Sequence, residues 1–280
     1  MTTMRLAVSN IGLTPFDHAD ELRALADLGV SGVEVAPSRV WPNTWHGLTP
    51  GAVDIYRREV EAAGLQVVGL HSLIFDHPNL GLFKDAETRQ STLAFFAHLS
   101  EVCRDLGGKT LIWGGGRRRG DLSERDATEE AVLFMSELAN KTGVDGTCFC
   151  FEPLGPADSD FVNSALTSLE IVRRVNHESL AVQLDAKALA ENNEIDRAVF
   201  DAVRPNLVHV HANEPGLGVV GHGGEGVDHN AIGAELRRIG YDGFVSIEQR
   251  QLNQENPLSD LQQSIAFVTR SYLDDAPQPA

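Results

Sequence analysis

Cysteine is scarce in this chain, with Cys103, Cys148 and Cys150 the only three among 280 residues. That excludes a disulfide framework and points to a reducing, cytoplasmic setting. Cys148 and Cys150 stand one residue apart, the spacing of neither a zinc knuckle nor a redox pair. Long apolar runs are missing too, so no transmembrane span is expected. The start, Met1-Thr-Thr-Met-Arg5, enters an apolar segment without the basic region and cleavage site of a signal peptide. Positive charge is in deficit: 23 Lys and Arg against 40 Asp and Glu leave −17 at neutral pH, with a pI near 4.9. Such a surface repels phosphate backbones and anionic lipid, so neither nucleic acid nor a membrane is an expected partner. An anionic small molecule is still admissible, because Arg117-Arg118-Arg119 can reverse the field inside one cleft. The turn after the first apolar run, Ser9-Asn-Ile-Gly-Leu-Thr-Pro15, has no G-x-G-x-x-G pattern, which argues against a dinucleotide fold.

What recurs instead is a short β-branched run, a polar turn and an amphipathic helical stretch. The runs cover 5–10, 32–36, 65–73, 110–114, 147–152, 180–185, 207–211 and 244–248. Helical patterning falls at 17–28, 86–106, 127–141, 165–175, 232–239 and 259–272. Turns such as Leu106-Gly-Gly108 and Ile239-Gly-Tyr-Asp-Gly243 stop a helix and start a strand. Eight units of about 35 residues each match the βα repeat. The expectation is a single (β/α)8 TIM barrel over residues 1–273, followed by a frayed tail at 274–280.

The last four runs end Cys148-Phe-Cys-Phe-Glu152, Val182-Gln-Leu-Asp185, Val208-His-Val-His211 and Val245-Ser-Ile-Glu248. Each stops on a residue able to ligate a metal, and in a barrel the C-terminal strand ends converge on one mouth. Strand alternation sorts all four alike. Cys148, Cys150 and Glu152, Gln183 and Asp185, His209 and His211, Ser246 and Glu248 share the lumen side, and the intervening Val, Leu, Ile and Phe face the helices. Three carboxylates and one imidazole form a hard, oxygen-rich donor set. It suits one divalent cation, Mn²⁺ first, with Mg²⁺, Co²⁺ or Zn²⁺ as alternatives. A strand-end carboxylate can also serve as a helix N-cap or a surface charge, but four in succession at one parity favour the metal site.

The order Glu-Pro-Leu, Leu-Asp, His-Val-His and Ser-Ile-Glu resembles the xylose isomerase-like TIM barrels, as do Gly240-Tyr-Asp-Gly-Phe-Val-Ser-Ile-Glu248 and Gly32-Val-Glu34. That family includes sugar and sugar-phosphate isomerases and epimerases, inosose dehydratases and type IV AP endonucleases. The resemblance implies that Glu152, Asp185, His211 and Glu248 hold the cation. By likeness to the ketose 3-epimerases, it also implies that Glu152 and Glu248 move protons on opposite faces of a substrate. Metal chelation by a carbonyl and an adjacent hydroxyl lowers the α-C–H pKa and stabilises an enediolate, which two carboxylates can then serve. Homo-oligomers are frequent in similar proteins. The chain departs from the ketose 3-epimerase pattern at three places. Asp158 stands where a sugar-binding glutamate is usual, Ala188 where a histidine is usual, and Glu214-Pro-Gly-Leu217 where an arginine is expected.

Further candidates for the substrate pocket are His71, Trp113, Arg119, Asp158, Lys187, His222 and Arg250. His71 and Trp113 end the third and fourth runs, as a polar contact and a stacking face for a sugar ring. Lys187 shares parity with Asp185 and is either an acid, a counter-charge for a substrate carboxylate or phosphate, or a solvated loop charge. Arg250 stands in the same relation to Glu248. Arg119 grips a phosphate or lies in a solvated loop. Gly221-His-Gly-Gly-Glu-Gly226 reads as a mobile loop over the mouth, with His222 and Glu225 able to close on substrate. Glu34 either faces the pocket or pairs internally, and His209 lies one layer deeper than His211, in a supporting or core position.

The leading functional expectation is a divalent-metal-dependent isomerase or epimerase of a sugar or sugar phosphate, acting through an enediolate. The alternative is a dehydratase of an inosose-like or dehydroshikimate-like keto-cyclitol at the same site. An AP endonuclease-like phosphodiesterase and a non-catalytic sugar-binding barrel rank below both.

Overall fold

A computed structural model describes residues 4–224 and 226–274. Glu225 and the last six residues of the expected tail lie outside the described residues.

Eight strands form one closed parallel barrel in sequence order. They are β1 (Arg5–Ser9), β2 (Gly32–Val35), β3 (Gln66–Leu70), β4 (Thr110–Trp113), β5 (Cys148–Phe151), β6 (Leu180–Asp185), β7 (Leu207–Ala212) and β8 (Phe244–Ile247). β8 closes on β1, with Arg5 opposite Phe244 and Val8 opposite Ile247. All eight fall within or almost within the expected runs. The helices are α1 (Ala19–Asp27), α2 (Pro50–Ala62), α3 (Ala86–Asp105), α4 (Glu124–Thr142), α5 (Ala165–Val175), α6 (Ala186–Glu191), α7 (Arg197–Val203), α8 (His229–Ile239) and α9 (Pro257–Val268). Three of them, α2, α6 and α7, were not anticipated by periodicity. α2 is set by local chemistry instead: Thr49 accepts the Ala52 N–H and Pro50 occupies the first turn. The stretch expected to be helical to Tyr272 leaves α-geometry at Thr269, in a π-turn over Thr269–Leu273. There the Tyr272 hydroxyl meets His229 Nδ1 at 2.7 Å.

Strand parity divides the barrel into two apolar compartments. The outward side chains, among them Val33, Val35, Leu111, Phe149, Val182, Leu184, Val210, Val245 and Ile247, join one continuous core with the helices. Inside the lumen, a lower layer contains Ala7, Val68 and Phe244. Gly32 makes this layer fit, since a Cβ there would stand 2.6 Å from Val68 and 2.8 Å from Phe244. A second cluster of Ile112, Cys150 and Ala181 fills the lumen beside it. The lumen is therefore a packed floor, and the polar residues are displaced toward the C-terminal strand ends.

That division corrects the reading of Trp113. Ile112 takes the lumen side of β4, so Trp113 points at the helices and is fully buried. Its indole stacks on Phe151 at 5.0 Å and meets Phe96 and Phe134 edge-on or tilted at 4.7 and 5.3 Å. The indole N–H is used by the Gly115 carbonyl at 2.7 Å. No face of the ring is left for a sugar. Trp113→Ala is expected to cost about 3–5 kcal/mol of stability, read as a lower denaturation midpoint in urea at unchanged metal stoichiometry.

Candidate metal centre

The strand ends of β5 to β8 bring Glu152, Asp185, His211 and Glu248 together, with one ligand atom from each lying within 4.8 Å of all the others. Parallel register sets this up: Asp185 pairs with His211, and His211 with Ser246 two residues before Glu248. His211 is the hub. Its Nδ1 lies 2.9 Å from Glu152 Oε1, 3.6 Å from Glu248 Oε2 and 3.8 Å from Asp185 Oδ2. Asp185 also serves as the N-cap of α6, its Oδ1 accepting the Ala188 N–H at 2.8 Å. The N-cap reading of a strand-end carboxylate is thus met by one oxygen of this residue, and the other oxygen stays on the side of His211.

Around the four lies a ring of supports. Asn213 donates to Asp185 Oδ2 at 2.6 Å and to Glu248 Oε2 at 2.9 Å, and its own carbonyl accepts the Lys187 N–H at 3.0 Å. Gln183 Nε2 donates to Glu152 Oε1 at 3.3 Å. His71 Nδ1 lies 3.4 Å from Glu248 Oε1, and its Nε2 meets the Ser9 hydroxyl at 2.6 Å. Below them Glu34, fully buried, lies 3.1 Å from Nε2 of both His209 and His211. Asn213 escaped the sequence reading, although the lumen alternation 209, 211, 213 points to it.

The electrostatics follow from burial and mutual proximity. Burial pushes Glu152 up, and Glu248 and Asp185 add to it beyond what His211 offsets. Burial also works to raise Glu248, but His211 and His71 outweigh it and hold its carboxyl at about 2. His211 would lose its proton on burial alone. The carboxylates of Glu34 and Glu248 drive it well above the ordinary imidazole range instead. Glu34 is held well below the carboxylate range because His209 and His211 outweigh its burial.

This donor set fits a divalent cation. Bonds of about 2.0–2.2 Å place the ligand atoms of one ion no more than about 4.4 Å apart, close to the spacing found. Three carboxylates around one imidazole nitrogen supply the negative charge that a hard cation neutralises.

Glu152, Asp185, Asn213 and Glu248 line one cavity of about 290 Å³, together with Asp158 and Lys187 on its rim. Lys187 Nζ is paired with Asp158 and lies 3.6 Å from Glu191. The remaining candidates stand elsewhere. His71 touches Glu248 rather than the cavity. Arg250 is exposed, its backbone N–H bonded to Leu217, and His222 is exposed on the loop before α8. Arg119 is corrected: its guanidinium is taken by the Leu122 carbonyl of its own loop and by the Asp160 carbonyl, and the second contact fastens the β4 loop to the β5 loop. Arg117 is buried, and desolvation brings it down to about 9. It donates to the carbonyls of Gly114, Phe161 and Glu152 and lies over the Phe151 ring, so it braces the backbone at Glu152. Glu214, where an arginine was expected, accepts from His229 at 3.2 Å and from the Gly221 N–H at 3.0 Å, and so anchors the β7–α8 loop.

Comparison with known proteins agrees with this architecture. A segment of 120 residues is 32% identical to D-psicose 3-epimerase of Ruminiclostridium cellulolyticum, over 42% of this chain and 39% of that protein's length. D-psicose 3-epimerase from Clostridium cellulolyticum H10, solved with D-tagatose, superposes with a TM-score of 0.80 at 18% identity, covering 97% of this chain and 100% of that one. An IOLI protein with a bound zinc atom superposes with a TM-score of 0.75 at 16% identity, covering 96% of this chain and 99% of that one. The sequence profile described as xylose isomerase-like TIM barrel matches residues 22–271, and with that match the chain belongs to this family.

Proposed function

We propose that the protein is a divalent-metal-dependent isomerase or epimerase of a ketose or a closely related sugar. The observation that carries this reading is the convergence of Glu152, Asp185 and Glu248 on one cavity, where with His211 they offer ligand atoms within 4.8 Å of one another. Two carboxylates on one cavity can serve as proton acceptor and proton donor to the same substrate. The partial match to a D-psicose 3-epimerase supports the same chemistry. The volume lies at the small end of ligand pockets, the size class of a small polar substrate such as a monosaccharide.

Glu152, Asp185, His211 and Glu248 would hold the ion, Mn²⁺ by the hardness of the donors. A cation held there would supply Lewis acidity to a substrate carbonyl and its neighbouring hydroxyl. Glu152 and Glu248 then act on the two faces of the substrate, one carboxylate removing the proton next to the carbonyl and the other returning one. Gln183 and Asn213 keep those carboxylates in place through Glu152 Oε1 and Glu248 Oε2. Lys187 and Asp158, at the rim of the same cavity, are assigned to the substrate's distal hydroxyls.

Elemental analysis is expected to find about one divalent cation per wild-type chain and none in His211→Ala. No ion in the wild type after incubation with Mn²⁺ would overturn the reading, and two or three per chain would favour a phosphodiesterase. With D-fructose or D-psicose in D₂O, proton NMR is expected to show deuterium entering next to the carbonyl without loss of water. Glu152→Gln and Glu248→Gln should each slow that exchange by about 10²–10⁴-fold. Lys187→Ala should raise KM with kcat nearly unchanged.

A further inference from the structure

Glu34 has no place in the chemistry above, yet it is the most enclosed carboxylate near the centre. It projects from β2 across the lumen to β7 and β8, and its side chain is fully buried. Its two oxygens are divided among three partners. Oε2 accepts the Ser246 hydroxyl at 2.7 Å and lies 3.1 Å from His211 Nε2. Oε1 lies 3.2 Å from His211 Nε2 and 3.1 Å from His209 Nε2. The pairing with His209 lacks hydrogen-bond geometry, since neither of its ring nitrogens has a bonded partner. The hydrogen bonds therefore run to His211 and Ser246, which face each other across the β7–β8 register, and His209 adds a close charge contact.

His211 has one nitrogen for each neighbourhood. Nδ1 faces Glu152, Asp185 and Glu248, and Nε2 faces Glu34. A neutral imidazole carries a single ring proton, so whichever nitrogen is offered an acceptor decides where the lone pair is left. We propose that Glu34 is the positioning residue of the metal centre: it captures the Nε2 proton of His211, fixes the ring plane, and leaves the Nδ1 lone pair directed at the ion. An anionic acceptor behind a ligand histidine also raises the basicity of the coordinating nitrogen. Ser246 completes the arrangement by holding the carboxylate in one orientation. The inference rests on the reading of Glu152, Asp185, His211 and Glu248 as metal ligands.

The test is calorimetric titration of Mn²⁺ into wild type, Glu34→Gln and Ser246→Ala, with histidine ¹⁵N spectra of the zinc-loaded wild type. Glu34→Gln keeps the shape and removes the charge, and it should weaken Mn²⁺ binding by about 10–100-fold. Ser246→Ala should weaken it several-fold in the same direction. The ¹⁵N spectrum should show His211 protonated at Nε2 and coordinated through Nδ1. Binding within twofold of wild type in Glu34→Gln, or coordination through Nε2, overturns the proposal while leaving the metal centre intact. A second ion per chain that disappears in Glu34→Gln overturns it as well, by making Glu34 a ligand. Should Glu34→Gln fail to fold, Ser246→Ala decides, and unchanged affinity there overturns it. No Mn²⁺ binding by the wild type removes both the centre and the positioning role.

Discussion

Three carboxylates forced into one buried space set the terms for the rest of this molecule. Barrel closure brings the ends of β5, β6 and β8 to the same mouth, and Glu152, Asp185 and Glu248 all reach toward His211 Nδ1. Two like charges about 4 Å apart repel by about 4 kcal/mol at the effective dielectric of a partly wet protein site. Such a cluster persists only if each oxygen is answered. The answers are Asn213 on Asp185 and Glu248, Gln183 on Glu152, His71 beside Glu248 and His211 at the centre. A divalent cation would complete the neutralisation, and the fit of the donor set to one follows from charge as much as from distance.

The support does not stop at side chains that touch the ligands. Arg117, buried with its guanidinium spread over three carbonyls, fixes the chain where Glu152 leaves β5. Gly114 stands beside it, and a Cβ at that position would come 2.3 Å from Glu152 Oε2, so only glycine leaves this carboxylate its place. On the opposite side, Glu214 holds the β7–α8 loop through His229 and Gly221. Residues that depart from the ketose 3-epimerase pattern thus acquire definite tasks: Glu214 organises a loop, and Asp158 pairs with Lys187 at the cavity rim. The departures alter what surrounds the centre and leave the centre alone.

The acidic surface is compatible with this interior because the two are separated by the packed lumen floor and the helical shell. A net charge of −17 speaks to long-range partners, whereas the site's own field is set within a few ångströms by three histidines and four carboxylates. Among the described residues no helix is long and apolar enough to cross a membrane.

Much of this was written in the chain itself. The eight strands and the convergence of Glu152, Asp185, His211 and Glu248 follow from alternation, because β5 to β8 each carry polar residues at one parity, which fixes the phase of the strand. β4 shows the limit of that logic. In Thr110-Leu-Ile-Trp113 the single hydroxyl of Thr110 is too weak a polar signal to say which side is lumen, and packing against Ile112's neighbours sent Trp113 outward. Helices α6 and α7 were too short for periodicity to reveal, and the arginine run was split by contacts with carbonyls some forty residues away. Glu34 was legible as a polar residue on β2, but not as the partner of His211, 177 residues away. Alternation along a strand is a local property and the sequence determines it. Depth, partner and the far end of a hydrogen bond depend on barrel closure, and those the tertiary structure alone decided.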